Sequence, residues 1–484
     1  MSGQRRAVCL KHEALAACAL LIVLVAPAHA QQGAVGATAV PKPGLTQAVP
    51  PEPMSSTTMS ETTSAQPGTT AAQPIDLATA LRLAGLKNLD LAIVQQAERL
   101  AKAENDAATL QFFPWLSIGE TYRHYTGADQ QTPGNMIEVD RRTYRRGATV
   151  GAELDFGKAI FQKLAARQLQ SAAEQNVQAQ NNSALLAAAS AYFDLANSVA
   201  EMAIARDAVR ISRSYEEELH RAVAIGVTNE SEALRVSVQT QKDEVLFRQA
   251  EATERSDSAA LSTVLRLDPA IELIPTERIV VPPTLVPLDT PLGTLLRQAL
   301  VSRPEVHASE ATVIAAERQR TAAKYGPLIP SISAEAIYGQ ARGSPTATLM
   351  GYQPAHDYVV GLDWRLGPGG LFDFSRTEVA DANLDTQRLR ELKVRQQISR
   401  QVVDALSAAR SADDQMLLAR HGVELANRSL ELSTHRKQFG VYAVLEVIQA
   451  QQDLTRARSD YASSLAAYAK AQYALALAIG RIGP

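Results

Sequence analysis

The sequence predicts a mainly α-helical, internally duplicated chain with long helical hairpins and two pairs of membrane-type β-strands. Three observations lead there. Between Lys158 and Asp268 there is no proline and one glycine, Gly226; between Leu371 and Ile479 there is again no proline, and the glycines are Gly422 and Gly440. Stretches this long without breakers are long helices. Secondly, Gly226 and Gly440 sit in matching settings, Arg221-Ala-Val-Ala-Ile-Gly226-Val-Thr-Asn and His435-Arg-Lys-Gln-Phe-Gly440-Val-Tyr-Ala, so each copy holds a hairpin turning at a glycine. Thirdly, four shorter segments alternate apolar and polar residues.

The N-terminus comes first. Arg5, Arg6 and Lys11 precede an apolar run from Ala14 to Ala28 that ends in Ala28-His29-Ala30, the pattern of a cleavable signal peptide over residues 1–30. Leu15-Ala16-Ala17-Cys18 superficially reads as a lipoprotein site, but its cysteine stands at the start of the apolar run instead of after it. Both cysteines, Cys9 and Cys18, lie in the leader, so the mature chain is expected to carry neither disulfides nor thiolate metal sites. The balance of 48 Lys+Arg against 51 Asp+Glu, or 45 against 50 without the leader, gives no sign of nucleic-acid binding. After Gln31 no stretch reaches the roughly 18 to 20 apolar residues of a transmembrane helix. Any membrane insertion must therefore use strands. Residues 31–74 are rich in Ala, Pro, Thr, Ser and Gln and lack aromatics, which predicts a disordered extension.

The first repeat is assigned to 75–268 and the second to 288–482. Each opens with an amphipathic helix: Ile75 to Asn88 matches Thr290 to Arg303, pairing Leu77 with Leu292, Leu81 with Leu296 and Arg82 with Arg297. Strand pairs follow at 114–126 and 147–157, and at 329–340 and 357–367. In the second strand Val150, Ala152, Leu154 and Phe156 oppose Thr149, Gly151, Glu153 and Asp155; in the fourth, Val360, Leu362, Trp364 and Leu366 oppose Val359, Gly361, Asp363 and Arg365. One face is greasy and the other polar, with Glu120 an exception on the greasy side of the first strand. A half-buried sheet of a soluble protein would show the same alternation. Fifteen of the 24 aromatic residues, including Trp115 and Trp364, fall within 112–161 and 325–374, which resembles the aromatic girdles of a bilayer boundary. Polar stretches from Thr126 to Arg146 and from Gln340 to His356 read as loops. Four strands cannot close a barrel, so several chains would have to share one.

The hairpins follow. Lys158 to Ala222 is about 64 residues, or about 95 Å of helix at about 1.5 Å per residue, comparable to the depth of a bacterial periplasm. Pro269 to Pro287, with Pro275, Pro282, Pro283 and Pro287, forms the inter-repeat linker, assigned to 269–287.

Two opening helices, two strand pairs and two glycine-tipped hairpins in this order resemble the TolC-like outer-membrane efflux protein family over residues 75–482. The most specific segments are the repeated opening helices, the strand starts at Pro114 and Pro330, and the tips Gly226-Val-Thr-Asn-Glu-Ser-Glu-Ala-Leu and Gly440-Val-Tyr-Ala-Val-Leu-Glu-Val-Ile. The resemblance implies a homotrimer in which each chain gives four strands to a 12-stranded outer-membrane barrel and its helices to one periplasmic tunnel. It implies a periplasmic adaptor and an inner-membrane transporter as partners, with outer-membrane lipid around the barrel.

Glu446 and Gln449 occupy the family's pore-constriction positions, three residues apart on one helix face. Glu446 would form one anionic ring favouring cations; where the family often has two acids, this chain has an acid and an amide. Arg221, Gly226, Val227, Arg436, Gly440 and Val441 are the expected adaptor-docking tips, and Glu153, Asp155, Asp363 and Arg365 the expected barrel-lumen residues. The plainer readings are a solvated helix charge, simple helix turns and the wet face of an ordinary sheet. No enzyme constellation is found: the eight histidines are scattered, there is no phosphate loop or nucleophile motif, and no cofactor or metal is expected. The expected function is a passive exit duct for small toxic molecules, with type I protein secretion as the alternative cargo and a periplasmic adaptor or structural coiled coil as the rival from another class.

Overall fold

A computed structural model describes residues 73–130, 132–276, 284–344, 351–438 and 444–481. The predicted leader, the extension up to residue 72, Pro282 and Pro283, and Gly440 and Val441 lie outside the described residues. The elements run β1 (Gln73–Ile75), α1 (Leu77–Lys87), α2 (Leu89–Leu110), β2 (Trp115–Gln130), β3 (Met136–Leu154), α3 (Phe156–Ala224), α4 (Glu230–Val264), β4 (Leu273–Pro275), α5 (Leu292–Ser302), α6 (Pro304–Tyr325), a 3-10 turn (Gly326–Leu328), β5 (Ser331–Ser344), β6 (Gln353–Asp363), α7 (Phe374–Gln438) and α8 (Val444–Ala478).

α3 and α7 are 69 and 65 residues long, about 100 Å each. Ala, Leu, Gln, Arg and Glu, the strongest helix formers, dominate them, and nothing interrupts their ladders. α3 ends in a Schellman cap: Val227 N donates to Ala222 O at 2.9 Å and Gly226 N to Val223 O at 2.9 Å, with Gly226 at φ +74°. The glycine is needed there because a side chain would be strained in the left-handed region.

The duplication is visible as two matching cores. Ala188, Tyr192, Leu195, Leu261 and Leu265 are buried together with Ala80 and Ala84 of α1. In the second repeat their equivalents, in the register that sets Gly226 against Gly440, are Val402, Leu406, Ala409, Leu475 and Ile479, buried with Leu295 and Ala299 of α5. Side chains differ in size at several matched positions, Tyr192 against Leu406 and Ala80 against Leu295, so each core redistributes its volume while keeping the helix arrangement. A polar pair repeats as well. Ser258 Oγ accepts from Leu273 N at 2.7 Å, and Gln472, at the matching position, accepts from Leu285 N and Val286 N at 3.2 and 3.1 Å.

Several expectations need correction. Gln73 and Pro74, assigned to the extension, form β1, which pairs parallel with β4 and buries Ile75 and Leu273. Each opening segment leads into a second helix, α2 or α6. Asn88 divides α1 from α2 by its extended backbone (ψ 132°) and caps α2, its Oδ1 accepting from Asp90 N at 2.8 Å and Leu91 N at 3.2 Å. In the second repeat Arg303 is extended and Pro304 takes the first helical turn of α6, where its missing N–H costs no bond.

The strands also run further than expected. Most of the stretch read as a loop from Thr126 to Arg146 belongs to β2 and β3, and Gln340 to His356 likewise contributes to β5 and β6. These ends carry polar residues on both faces, so alternation is absent, yet cross-strand pairs hold them: Arg141 to Asp129 at 2.9 Å, His124 to Asp140 at 2.6 Å, and the Tyr122 and Tyr144 rings at 4.6 Å. At the other end the strands stop earlier, at Leu154 and Asp363, leaving Asp155, Trp364 and Arg365 outside them.

Candidate functional site

The order β2-β3-β5-β6 makes a four-stranded antiparallel sheet in which, among the described residues, β2 and β6 each pair on one side only. Register separates its faces. Leu154, Ile332 and Leu362 align in one cross-strand row; Ala152, Ala334 and Val360 in the next; then Leu116, Val150, Ala336 and Tyr358; then Ile118, Ala148, Tyr338 and His356. This band extends about 20 Å along the strands at about 3.4 Å per residue, close to the roughly 25 Å apolar belt of outer-membrane barrels. Most of its large side chains are exposed, Ile118 by 80 % and Val360 by 78 %, while Leu154 and the alanines are half-buried. At its foot Phe113, Trp364, Leu366, Phe372 and Phe374 are exposed too. The Tyr358 hydroxyl donates to that of Tyr338 at 2.8 Å, tying two ring edges at the band's upper border. Glu120, the exception in the greasy pattern, lies just above the band and accepts from the Tyr352 hydroxyl at 3.0 Å.

The opposite face is polar and small. Gly119, Gly147, Gly339 and Ala355 form one row across it. A Cβ on Gly147 would meet Tyr338 O at 2.2 Å, and one on Gly339 would meet Arg146 O at 2.2 Å, so β3 and β5 approach each other here too closely for a side chain. Trp115 belongs to this face and not to the greasy one, with its ring over Gly151. Of the four expected lumen residues, Glu153 is on this face of β3 and Asp363 ends β6. Asp155 instead caps α3, accepting from Lys158 N at 3.0 Å, and Arg365 lies in the tight turn before α7, its carbonyl accepting from Leu371 N at 2.9 Å.

At the far end of the hairpins, Ile225, Gly226 and Val227 are exposed between α3 and α4, and Arg221 Nε is spent on Glu217 O at 3.2 Å. Glu446 opens α8, where its charge suits the helix N-terminus. Arg436 Nη1 of α7 donates to Glu446 Oε1 at 2.9 Å, and Ser433 Oγ to the same oxygen at 3.4 Å. The carboxylate is thus paired within its own hairpin, and Gln449 is exposed one turn along. Sequence spacing did not reveal this pair, because Arg436 and Glu446 belong to different helices that meet only when the hairpin folds.

Further from the tips the two hairpins enclose a cavity of about 800 Å³, lined by Ile204, Ile211, Tyr215, Val236, Asp243 and Ile448 among others. Asp243 is buried and hydrogen-bonded by Ser212 Oγ and by Gln239 Nε2 at 2.8 Å, and Gln239 meets Gln452 of α8 at 2.5 Å. Glu254 of α4 is also buried; burial first, and then the nearby Glu272 charge, hold its carboxyl above the usual value of 4.5. Among the described residues no helix is long and apolar enough to cross a membrane, and no group of three or more His, Cys, Asp or Glu could hold a metal ion.

A sheet that exposes an apolar belt and, among the described residues, two open edges, joined to two hairpins whose longer helices run about 100 Å, is similar in architecture to the TolC-like outer-membrane channels. Residues 295–481, nearly all of the second repeat, match the family model described as outer membrane efflux protein, so that segment carries this family's domain. Comparison with curated protein sequences gives no match. Among solved structures, a membrane protein from Pseudomonas aeruginosa superposes with a TM-score of 0.72 at 20 % identity, over 84 % of this chain and 92 % of that one. The Campylobacter jejuni CmeC outer membrane channel gives 0.71 at 16 %, over 84 % and 85 %, and the Vibrio cholerae outer membrane protein VceC gives 0.68 at 17 %, over 84 % and 96 %. At these identities the likeness establishes the fold.

Proposed function

We propose that three copies of the chain form an outer-membrane exit duct that carries small molecules out of the cell, with a periplasmic adaptor and an inner-membrane transporter supplying contact and energy. The observation that carries this reading is the four-stranded sheet itself. Its belt is uncovered on one face, and both its edges, β2 and β6, are open. Unpaired strand edges are not tolerated in lipid. Pairing β2 of one copy with β6 of the next satisfies both edges, and three copies give twelve strands, above the practical minimum of about eight. The belt then faces lipid and the glycine-rich face, with Glu153 and Asp363, lines the lumen. The α3–α4 and α7–α8 hairpins continue the passage, and their ends, with Arg221, Gly226, Val227 and Arg436 near them, meet the adaptor. The Arg436–Glu446 pair and Gln449 stand at the narrow end of the passage, and opening there is a change of packing between hairpins.

The test is planar-bilayer conductance of the detergent-extracted oligomer, with its mass measured in the same preparation. A trimer giving small, cation-selective openings supports the duct. A water-soluble monomer without conductance overturns it.

A further inference from the structure

The face that carries the apolar belt changes character just above it, on the side away from the helices. Arg146 stands one cross-strand row above the belt, beside Glu120 and Gln340, and Arg342 one row higher, beside Tyr122 and Tyr144. Arg146 donates through Nε and Nη2 to Gln340 Oε1 at 3.2 and 2.7 Å and lies over the Tyr352 ring at 4.0 Å. Arg342 is sandwiched between two rings, 4.3 Å from the centre of Tyr144 and 4.7 Å from that of Tyr352. Its Nε is buried with no hydrogen-bond partner. Among the described residues neither guanidinium has a carboxylate within ion-pair distance, and Glu120, the nearest acid in register, already accepts from Tyr352.

Two cations held against one shared ring repel each other, and aromatic faces offset that only in part. An anion with several acceptor oxygens would balance both charges. A planar guanidinium pair fixed by stacking suits a phosphate, which takes parallel N–H donors. The position names the source. The pair adjoins the apolar belt on the face expected to meet lipid, at the level where a headgroup stands above buried acyl chains.

Resting on the duct reading above, we propose that Arg146 and Arg342, held in place by Tyr144 and Tyr352, form a binding site for the phosphate of a phosphorylated lipid in the leaflet away from the helices. Three such sites would ring the trimer, pinning the belt at a set depth. Gln340 orients Arg146, and the Tyr352 hydroxyl keeps Glu120 turned from the anion.

The full chain, extracted as an oligomer in mild detergent, is titrated with bisphosphorylated lipid A and counted for bound lipid by native mass spectrometry. Dephosphorylated lipid A and inorganic phosphate serve as the two comparison probes. The expected result is retention of the phosphorylated lipid, weak retention of the dephosphorylated one, no displacement by millimolar phosphate, and binding about thirtyfold weaker in Arg146→Gln/Arg342→Gln. Equal binding by that variant, or equal binding of both lipids, overturns the site; displacement by inorganic phosphate overturns the lipid as its source. Should the glutamine variant fail to assemble, Arg146→Lys/Arg342→Lys keeps the charge and loses the planar stack, with intermediate affinity expected and unchanged affinity overturning the stacked geometry. A wild-type chain that forms no membrane oligomer fails the duct reading, whereas an oligomer blind to the phosphorylated lipid fails only this proposal.

Discussion

Arg266 and Gly480 occupy the same position of the two repeats, and both are left-handed, at φ 59° and 73°. Each closes its helix with the same two bonds: Leu267 N to Ser262 O at 2.8 Å and Arg266 N to Thr263 O at 3.1 Å in the first, Arg481 N to Ala476 O at 2.8 Å and Gly480 N to Leu477 O at 2.9 Å in the second. The cap demands a positive φ. The second repeat meets the demand with glycine, and the first strains an arginine.

The two sites should therefore respond in opposite directions. Arg266→Gly relieves a left-handed cost of about 1–2 kcal/mol, and after glycine's extra chain entropy a net stabilisation of a few tenths to about 1 kcal/mol is expected. Gly480→Ala is expected to cost about 1–2 kcal/mol, because its Cβ is both strained in backbone and 2.6 Å from Ser302 Oγ. Guanidinium unfolding midpoints of the extracted protein measure both; a loss of stability in Arg266→Gly would show that Arg266 makes a compensating contact.

Gly157 at the start of α3 and Gly326 in the 3-10 turn touch through their backbones and join the two repeats below the sheet. A Cβ on Gly157 would lie 2.3 Å from Gly326 O and 2.8 Å from its Cα, whereas one on Gly326 would lie 3.3 Å from Gly157 O. Gly157→Ala is expected to lose about 2–3 kcal/mol or fail to assemble, since backbone has to move, and Gly326→Ala to lose much less. Comparing the yields and thermal midpoints of the two oligomers decides it.

Glu254 gives a pH dependence. Its folded pKa is raised by burial, so the neutral acid fits the fold; the stability it contributes is full below the ordinary carboxyl value of 4.5 and is lost as pH rises through the raised value. Glu254→Gln is expected to raise the melting temperature at pH 8 and to leave it nearly unchanged at pH 4. A difference that is the same at both pH values would mean that the Glu254 carboxyl titrates alike in the folded and unfolded chain, so that burial does not raise it.

The Arg436–Glu446 pair is 59 % and 37 % exposed, so it contributes at most about 1 kcal/mol to stability. Its effect on ions at the hairpin ends is a separate matter. Arg436→Ala frees the carboxylate and is expected to increase cation preference, and Glu446→Ala leaves Arg436 unpaired and is expected to lower it or to raise resting conductance. Reversal potentials across a salt gradient read both; no change in either variant removes the pair from the constriction.

Local features were readable from the chain and their partners were not. The absence of proline and glycine announces α3 and α7, and the glycine at 226 announces its turn, since both effects act within a few residues. The greasy alternation of Val150, Ala152 and Leu154 gives the face of β3. It says nothing about residues 136 to 146, which stay in the strand because Arg141, Asp140 and Tyr144 find partners on β2. Asp155 follows the alternation of a lumen residue and serves as a helix cap, because β3 ends at Leu154, three residues short of the expected 157. α2 and α6 carried weak signals, Asn88 and Pro304, within runs otherwise continuous with the opening helices.

By itself, the sequence determined the doubled plan, the breaker-free helices and a sheet with one apolar face, because propensity and periodicity are properties of short windows. Only the tertiary structure decided which charges remain free. Glu446 is paired by Arg436 across a hairpin, and Arg146 and Arg342, which belong to different repeats, are brought to one tyrosine ring by the β3–β5 register. An ion's partner is set by distance in space, and in a chain with two repeats of this length that distance is fixed by packing between segments that no local pattern connects.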